Sequence, residues 1–363
     1  MISKGCIVGS YQRKLEELAK FDLELTVIVP PYWRGRSGVV ALERAHTEGY
    51  ELIVEQVAFN GHFHLHFYPG LARQFKRLCP DIVHIDEEPY NLATFQAMWL
   101  AKRAGAKALF FTWQNIHRRY PPPFSLIERY NLRNAAYAIA GNAEALKVLK
   151  AKGYHGPIRV IPQFGVDPKV FRPFAPRSSP LFTIGYVGRL VEEKGIHVLL
   201  RAAAGLEGGW RLRILGSGPW QPRLEALASE LAIAERVKFE PPIPSTKMPD
   251  HYNQLDVLVL PSLTRPNWKE QFGRVLIEAM ACEVPVVGSD SGEIPNVIGD
   301  AGIVFPEGDV FALRDALAQL MADPALRIEL GRRGRERVLT YYTQARVAAE
   351  TYKVYQEMKS TDP

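Results

Sequence analysis

The chain has 363 residues, 47% hydrophobic and 23% charged, with a net charge of +6. That length exceeds one ordinary core and predicts two domains, and the balanced composition excludes a disordered or fibrous chain. No apolar run approaches membrane-spanning length, and Cys6, Cys79 and Cys282 are too scattered for a disulfide framework or a metal knuckle, so a reducing cytoplasmic setting is expected.

The positive excess is confined to the first part. Residues 1–162 hold 21 Lys/Arg and 14 Asp/Glu, against 24 and 25 in the remainder. An anionic partner there (a membrane surface, a lipid diphosphate or an acidic glycan) and plain solubility charge explain it equally well. No nucleic-acid partner is expected.

In chain order, Tyr11–Lys20 reads as a helix and Leu25–Val29 as a strand closed by Pro30-Pro31. A strand is expected before the loop Gly5–Ser10, yet only Met1-Ile2 precedes Ser3, so the sequence as written is expected to begin inside its first strand. Glu51–Ala58 is a strand, Leu71–Leu78 a helix, Ile82–Ile85 a strand, Leu92–Arg103 a helix and Ala108–Thr112 a strand. Ser125–Arg133 (helix), Ala136–Ala140 (strand), Ala143–Lys152 (helix) and Ile158–Ile161 (strand) follow. Apolar strands alternating with helices predict a parallel sheet covered on both faces.

Pro162 to Pro180 carries five prolines and no periodicity, and reads as a connection. The alternation then restarts: strands Thr183–Val187, Arg211–Leu215, Val237–Glu240, Val257–Leu260, Val284–Gly288 and Ile303–Phe305, with helices Gly195–Ala204, Pro222–Leu231 and Gly273–Ala281 between them. The expected domains are 1–162 and 163–343, with a final helix 344–358 returning to the first. Ligands of such sheets gather at the carboxyl ends of the strands, here expected in a cleft between the domains.

Chemistry concentrates in the second domain. Gly188-Arg189 through Lys194-Gly195 offers two cations after a strand and before a helix, suited to a diphosphate. Glu270-Gln271-Phe272-Gly273-Arg274-Val275-Leu276-Ile277-Glu278 sets two carboxylates eight positions apart around the start of a helix, whose free N–H groups attract phosphate. Glu278 lies among apolar residues, where a charge requires a partner. Gly216-Ser217-Gly218 lacks the third glycine of a dinucleotide fingerprint, because Gln221 stands there, so a nicotinamide dehydrogenase is disfavoured. His62-Phe63-His64-Leu65-His66 would share a face on a strand, but no neighbouring cysteine or carboxylate in sequence completes a metal set, and none is expected.

These motifs resemble the retaining, nucleotide-sugar-dependent glycosyltransferases of the group 1, or GT4, family. The likeness is dense from Gly141-Asn142 to Phe305 and includes Phe164-Gly165-Val166-Asp167 with Phe171 in the connection. It implies an α/β GT-B fold of two Rossmann-like domains facing a cleft. It implies sugar transfer from a nucleotide diphosphate sugar to a glycan or lipid-linked acceptor in envelope or exopolysaccharide synthesis, on the cytoplasmic side and with peripheral membrane contact open. By resemblance, Arg189 and Lys194 stabilise the leaving diphosphate, Glu270 contacts the donor sugar and Glu278 the ribose. Phe272, Gly273, Arg274, Gly188 and Gly216 line the phosphates, and Ile243 the base. No cofactor or metal is implied, in keeping with the absence of an Asp-x-Asp triplet.

The sequence departs from the family after Ala108–Thr112, where a histidine commonly touches the sugar. Here Gln114 and Asn115 hold that place, with His117 close by. Arg118 and Arg119, in a basic aromatic loop, join them as sugar or acceptor contacts; the loop Pro31–Arg36 and Asp86-Glu87-Glu88 are further acceptor-side candidates, with stiff surface loops and a helix cap as their structural alternatives. A noncatalytic nucleotide-binding protein, an inverting transferase and a sugar-nucleotide epimerase remain as alternatives.

Overall fold

The computed structural model describes residues 1–35, 38–174 and 180–360. Arg36 and the part of the Pro162–Pro180 connection at 175–179 lie outside the described residues. The chain divides into two compact units, one of residues 1–165 with 344–363 and one of residues 166–343.

The first unit runs α1 (Gly9–Leu18), β1 (Thr26–Val29), β2 (Tyr32–Gly35), β3 (Gly38–Ala41), β4 (Glu51–Val54), α2 (Leu71–Leu78), β5 (Ile82–Ile85), α3 (Leu92–Arg103) and β6 (Lys107–Thr112). It continues with α4 (Phe124–Asn134), β7 (Tyr137–Ala140), α5 (Ala143–Ala151) and β8 (Ile158–Val160). β1 pairs in parallel with β4, and β5, β6, β7 and β8 follow one another in parallel. Ile2 joins the two ladders, bridging Ile28 of β1 and Ile85 of β5. Its N–H donates to the His84 carbonyl at 2.9 Å, and its carbonyl accepts from the Asp86 N–H at 2.9 Å. One residue thus takes the place of a first strand, and the spatial order is β4-β1-Ile2-β5-β6-β7-β8. β2 and β3 form an antiparallel hairpin where the sequence suggested only a loop. Its Val39 and Val40 are exposed, so no alternation of buried and exposed residues announced it. The His62–His66 segment is turn rather than strand, so its histidines do not share a strand face.

The second unit runs β9 (Phe182–Val187), α6 (Ile196–Ala204), β10 (Trp210–Leu215), α7 (Gln221–Glu230), β11 (Val237–Glu240), α8 (Met248–Tyr252), β12 (Val257–Leu260) and α9 (Arg274–Ala281). β13 (Val286–Ser289), α10 (Ile294–Ile298), β14 (Ile303–Phe305), α11 (Val310–Ala322) and α12 (Pro324–Tyr341) complete it. Its parallel sheet has the order β11-β10-β9-β12-β13-β14. Every residue of β9 and β12 is buried, which fits their near-continuous apolar sequence. The order reverses between β9 and β12. Loops leaving the carboxyl ends of those two strands diverge in connectivity and leave a crevice, the place where such sheets hold ligands.

Helices α11 and α12 have no counterpart in the sequence reading, although both carry start signals. Asp309 accepts from the N–H groups of Phe311 and Ala312, and Asp323 from that of Leu326 ahead of Pro324. The last helix, α13 (Gln344–Ser360), buries Val347, Ala348, Thr351, Val354, Tyr355 and Met358 along one face. It is fastened to the first unit by the Tyr355 hydroxyl at 2.7 Å from His84 Nδ1 and by the Tyr137 hydroxyl donating to Glu357 at 2.6 Å. No helix of the described residues is long and apolar enough to cross a membrane.

Candidate active site

The crevice of the second unit is built by close backbone contact. Gly195 adopts φ +66°, and a Cβ there would lie 1.8 Å from the Pro261 carbonyl oxygen. Only glycine lets the loop after β9 lie against the loop after β12. The Leu263 N–H donates to the Glu193 carbonyl at 2.8 Å and ties the same two loops. On the other side, a Cβ on Gly216 would sit 1.8 Å from the Gly188 carbonyl oxygen, so the turns after β9 and β10 also touch.

This frame brings Lys194 and Glu270 together, although 76 positions separate them. Lys194 Nζ donates to Glu270 Oε2 at 2.5 Å, and Ser262 Oγ donates to the same oxygen at 2.9 Å. The Lys194 ammonium also lies 5.0 Å from the centre of the Trp268 ring. Gly292, at φ +57°, passes so near that a Cβ would be 2.1 Å from the Glu270 carbonyl oxygen, and the Glu293 N–H donates to that carbonyl. Glu270 is therefore held at both its backbone and its side chain. Arg189 is placed differently: its side chain is 61% exposed and lies 3.8 Å from Glu193, which leaves the guanidinium reachable from solvent.

Gly273, at φ +77°, caps α9, and the first N–H groups of that helix have no partner within it. Phe272 is buried edge-on against Tyr342, with ring centres 5.7 Å apart. Glu278 is buried, accepts from the Tyr252 hydroxyl at 2.7 Å and pairs with Arg274 Nε at 2.9 Å. Burial, and after it the Glu278 carboxylate, raise the Tyr252 phenol well above its ordinary range, which keeps it a donor. Ile243 is half-buried in the loop after β11. The sequence reading did not find Ser262, Trp268 or Tyr252 as partners; a hydroxyl at a strand end was the available signal for the first.

Glu278→Ala should weaken binding of the matching nucleoside diphosphate about tenfold to a hundredfold, the worth of one charge-assisted hydrogen bond. Titration calorimetry with the variant checks this, and an unchanged affinity would remove Glu278 from the site.

The remaining candidates lie in the first unit. Gln114 and Asn115 are buried, whereas His117, Arg118 and Arg119 are exposed. Gln114 Oε1 accepts from Lys152 at 3.0 Å, and its Nε2 donates to the Tyr120 hydroxyl at 3.2 Å. That network fixes the amide's orientation. Upstream, Glu88 accepts from the Thr112 hydroxyl at 2.6 Å and from the Trp113 N–H at 2.8 Å, and so shapes the start of this loop.

Burial lifts the Glu88 carboxyl from an ordinary 4.5 to about 7. The folded value lies above the unfolded one, so the folded state holds an extra proton between those limits. Its contribution to stability is full below pH 4.5 and is lost as pH rises through 7, about 3 kcal/mol in all. Glu88→Gln should flatten the fall in melting temperature between pH 5 and 8. Parallel declines in variant and wild type would contradict this account.

Each unit matches a family model. Residues 9–163 match the glycosyl transferase 4-like domain, and residues 171–337 match glycosyl transferases group 1. A GDP-mannose-dependent alpha-(1-6)-phosphatidylinositol monomannoside mannosyltransferase of Mycolicibacterium smegmatis is 38% identical over 156 residues, 41% of each chain. That match spans under half of the relative. A D-inositol 3-phosphate glycosyltransferase of Corynebacterium urealyticum is 29% identical over a match covering 99% of this chain and 82% of its own. Sucrose-phosphate synthase from Thermosynechococcus elongatus shares the fold at a TM-score of 0.74 and 22% identity, covering 99% of this chain and 98% of that one.

The two Rossmann-like units are those of a GT-B glycosyltransferase. The chain belongs to the group 1, or GT4, family.

Proposed function

We propose that the protein transfers a hexosyl unit, with retention of anomeric configuration, from a nucleotide diphosphate sugar to an acceptor hydroxyl during assembly of a cell-envelope or exopolysaccharide glycan. The observation that carries this reading is the Lys194–Glu270–Ser262 cluster at the β9/β12 reversal of the sheet. The relatives named for phosphatidylinositol mannoside and inositol phosphate support an acceptor that is a glycolipid or a polyol.

In this reading Arg189, Lys194 and the amino end of α9 stabilise charge on the departing diphosphate. Lys194 serves without a metal because it is a fixed cation beside the leaving group. Glu270 accepts hydrogen bonds from the donor sugar, and Glu278 from the ribose. The C1–O bond to the diphosphate breaks, and the acceptor oxygen bonds to C1 on the same face. The acceptor's proton passes to a leaving phosphate oxygen, so a separate general base is not required. Gly188, Gly216, Phe272 and Gly273 shape the phosphate path, and Ile243 borders the base. Gln114, Asn115, His117, Arg118 and Arg119 belong to the sugar and acceptor side. The setting is the cytoplasmic side of the membrane, with peripheral contact through the basic first unit.

Proton NMR of the first-formed product tests the stereochemistry: the donor's own anomer supports retention, and the opposite anomer replaces this mechanism with an inverting one. Turnover should persist in excess EDTA. Loss of activity on chelation, restored by magnesium, would overturn the metal-independent reading.

A further inference from the structure

The first unit repeats the arrangement just described at its own reversal of strand order. Lys4 follows the Ile2 rung, and Glu87 follows β5, the strand across the reversal. The Lys4 ammonium bonds to Glu87 Oε2, and the Lys4 N–H donates to Oε1 at 3.1 Å. Lys194 and Glu270 occupy the matching positions of the second unit: a lysine after the first strand, paired with a glutamate after the fourth. The second unit's pair has a substrate in the reading above; the first unit's pair has none.

Buried polar atoms around Glu87 lack partners. His66 is fully buried, with Nδ1 2.9 Å from the Phe63 carbonyl oxygen. Nδ1 therefore carries the proton of the neutral ring, and burial holds the ring neutral. Its Nε2 is a bare lone pair, 3.8 Å from Glu87 Oε2 and without a hydrogen bond. Two acceptors face each other with no donor between them. The Tyr68 hydroxyl and Asn91 Oδ1, both in fully buried side chains, are likewise unsatisfied, while Asn91 Nδ2 reaches Glu87 at 3.4 Å. Buried groups of this kind are normally paired, and each orphan costs about 1–3 kcal/mol. Over the pair lies Phe63, 40% exposed, with Lys4 Nζ 4.4 Å from its ring centre.

We infer that Lys4, Glu87, His66 and Phe63 form a binding site for an uncharged cyclic polyol, a hexose or cyclitol ring, and that this ring is the acceptor. The class follows from the chemistry. Lys4 already neutralises Glu87, so the site does not demand a charged ligand. Hydroxyls both donate and accept, and so answer His66 Nε2 and Asn91 Oδ1 on one side and the Tyr68 O–H on the other. The C–H face of a sugar or cyclitol ring lies well on an aromatic ring such as Phe63. This assignment of the ring as acceptor rests on the transfer reading; the binding site does not.

Saturation-transfer NMR on the full chain with D-mannose, D-glucose, D-galactose and myo-inositol tests it, alongside thermal stabilisation by nucleoside diphosphates. At least one polyol should show transfer, and its affinity should fall tenfold or more in Glu87→Gln and in Phe63→Ala, with nucleotide stabilisation kept. No transfer from any of the four, or transfer unchanged in Phe63→Ala, would overturn the site and leave its unsatisfied atoms to water alone. Should Glu87→Gln fail to fold, Phe63→Ala decides, because that ring is at the surface. Polyol binding without any nucleotide stabilisation in the wild type would keep the site and overturn the transfer reading instead.

Discussion

Lys194→Met should lower sugar transfer about a thousandfold, with kcat falling much more than KM rises. The ammonium is fixed beside Glu270 at 2.5 Å and over Trp268, in a side chain only 14% exposed. A cation held in advance where charge develops acts mainly on the transition state, and removing one such group costs about a hundredfold to a thousandfold. Here the loss falls at the upper end, because the variant also strips Glu270 of its cation. Ser262 remains as a donor to the carboxylate, so Glu270 keeps its place while its charge goes unbalanced. Steady-state kinetics with the cognate donor check this. A rise in KM with kcat intact would mean that Lys194 grips the ground state only.

Gly195→Ala should destabilise the protein by about 3 kcal/mol or more and abolish transfer with it. Two costs coincide at this residue. Its φ of +66° is unfavourable for any side chain, and the added carbon would stand 1.8 Å from the Pro261 carbonyl oxygen. That contact is with backbone, so no rotamer change relieves it. The loops after β9 and β12 must part, and Lys194 and Glu270 part with them. Denaturant unfolding gives the stability and donor turnover the activity. The control is Gly153→Ala: Gly153 also has positive φ (+83°), but no atom comes near its added carbon. It should lose only the strain and keep turnover. Equal effects at the two glycines would show that crowding at Pro261 contributes nothing.

The central strands of both sheets were legible because parallel strands buried on both faces are nearly continuous in apolar residues, as β7, β9 and β12 are. Ile82–Ile85 and Val257–Leu260 agree in the sequence and in the structure to the residue. Lys194 and Glu270 were legible as chemistry because a cation before a helix and a carboxylate before a glycine stand out locally. Their pairing was not, since it depends on a strand order that brings two loops 76 positions apart side by side. Glu278 shows the same division: burial required a partner, and Arg274 stands one turn before it in the same helix, yet Tyr252 became its other partner only through the packing of α8 on α9.

Other features carried no usable period. Ile2 acts as a strand of one residue, too short for any pattern. The hairpin β2–β3 exposes its valines, and His66 meets Glu87 through a turn, which has no period to read. Helices α11 and α12 carry Asp caps, but the many charges of α12 and its internal Gly331 and Gly334 blur its helical period.

The most direct test of the second-unit site is the melting temperature in UDP, GDP, ADP or TDP at millimolar concentration, measured with magnesium and with EDTA. A ligand bound only by the folded chain raises the midpoint, by about 3 kcal/mol of stability at a hundred times its dissociation constant. Selective stabilisation by one nucleotide is expected, equal with and without the metal and reduced in Glu278→Ala. No shift with any of the four would contradict it.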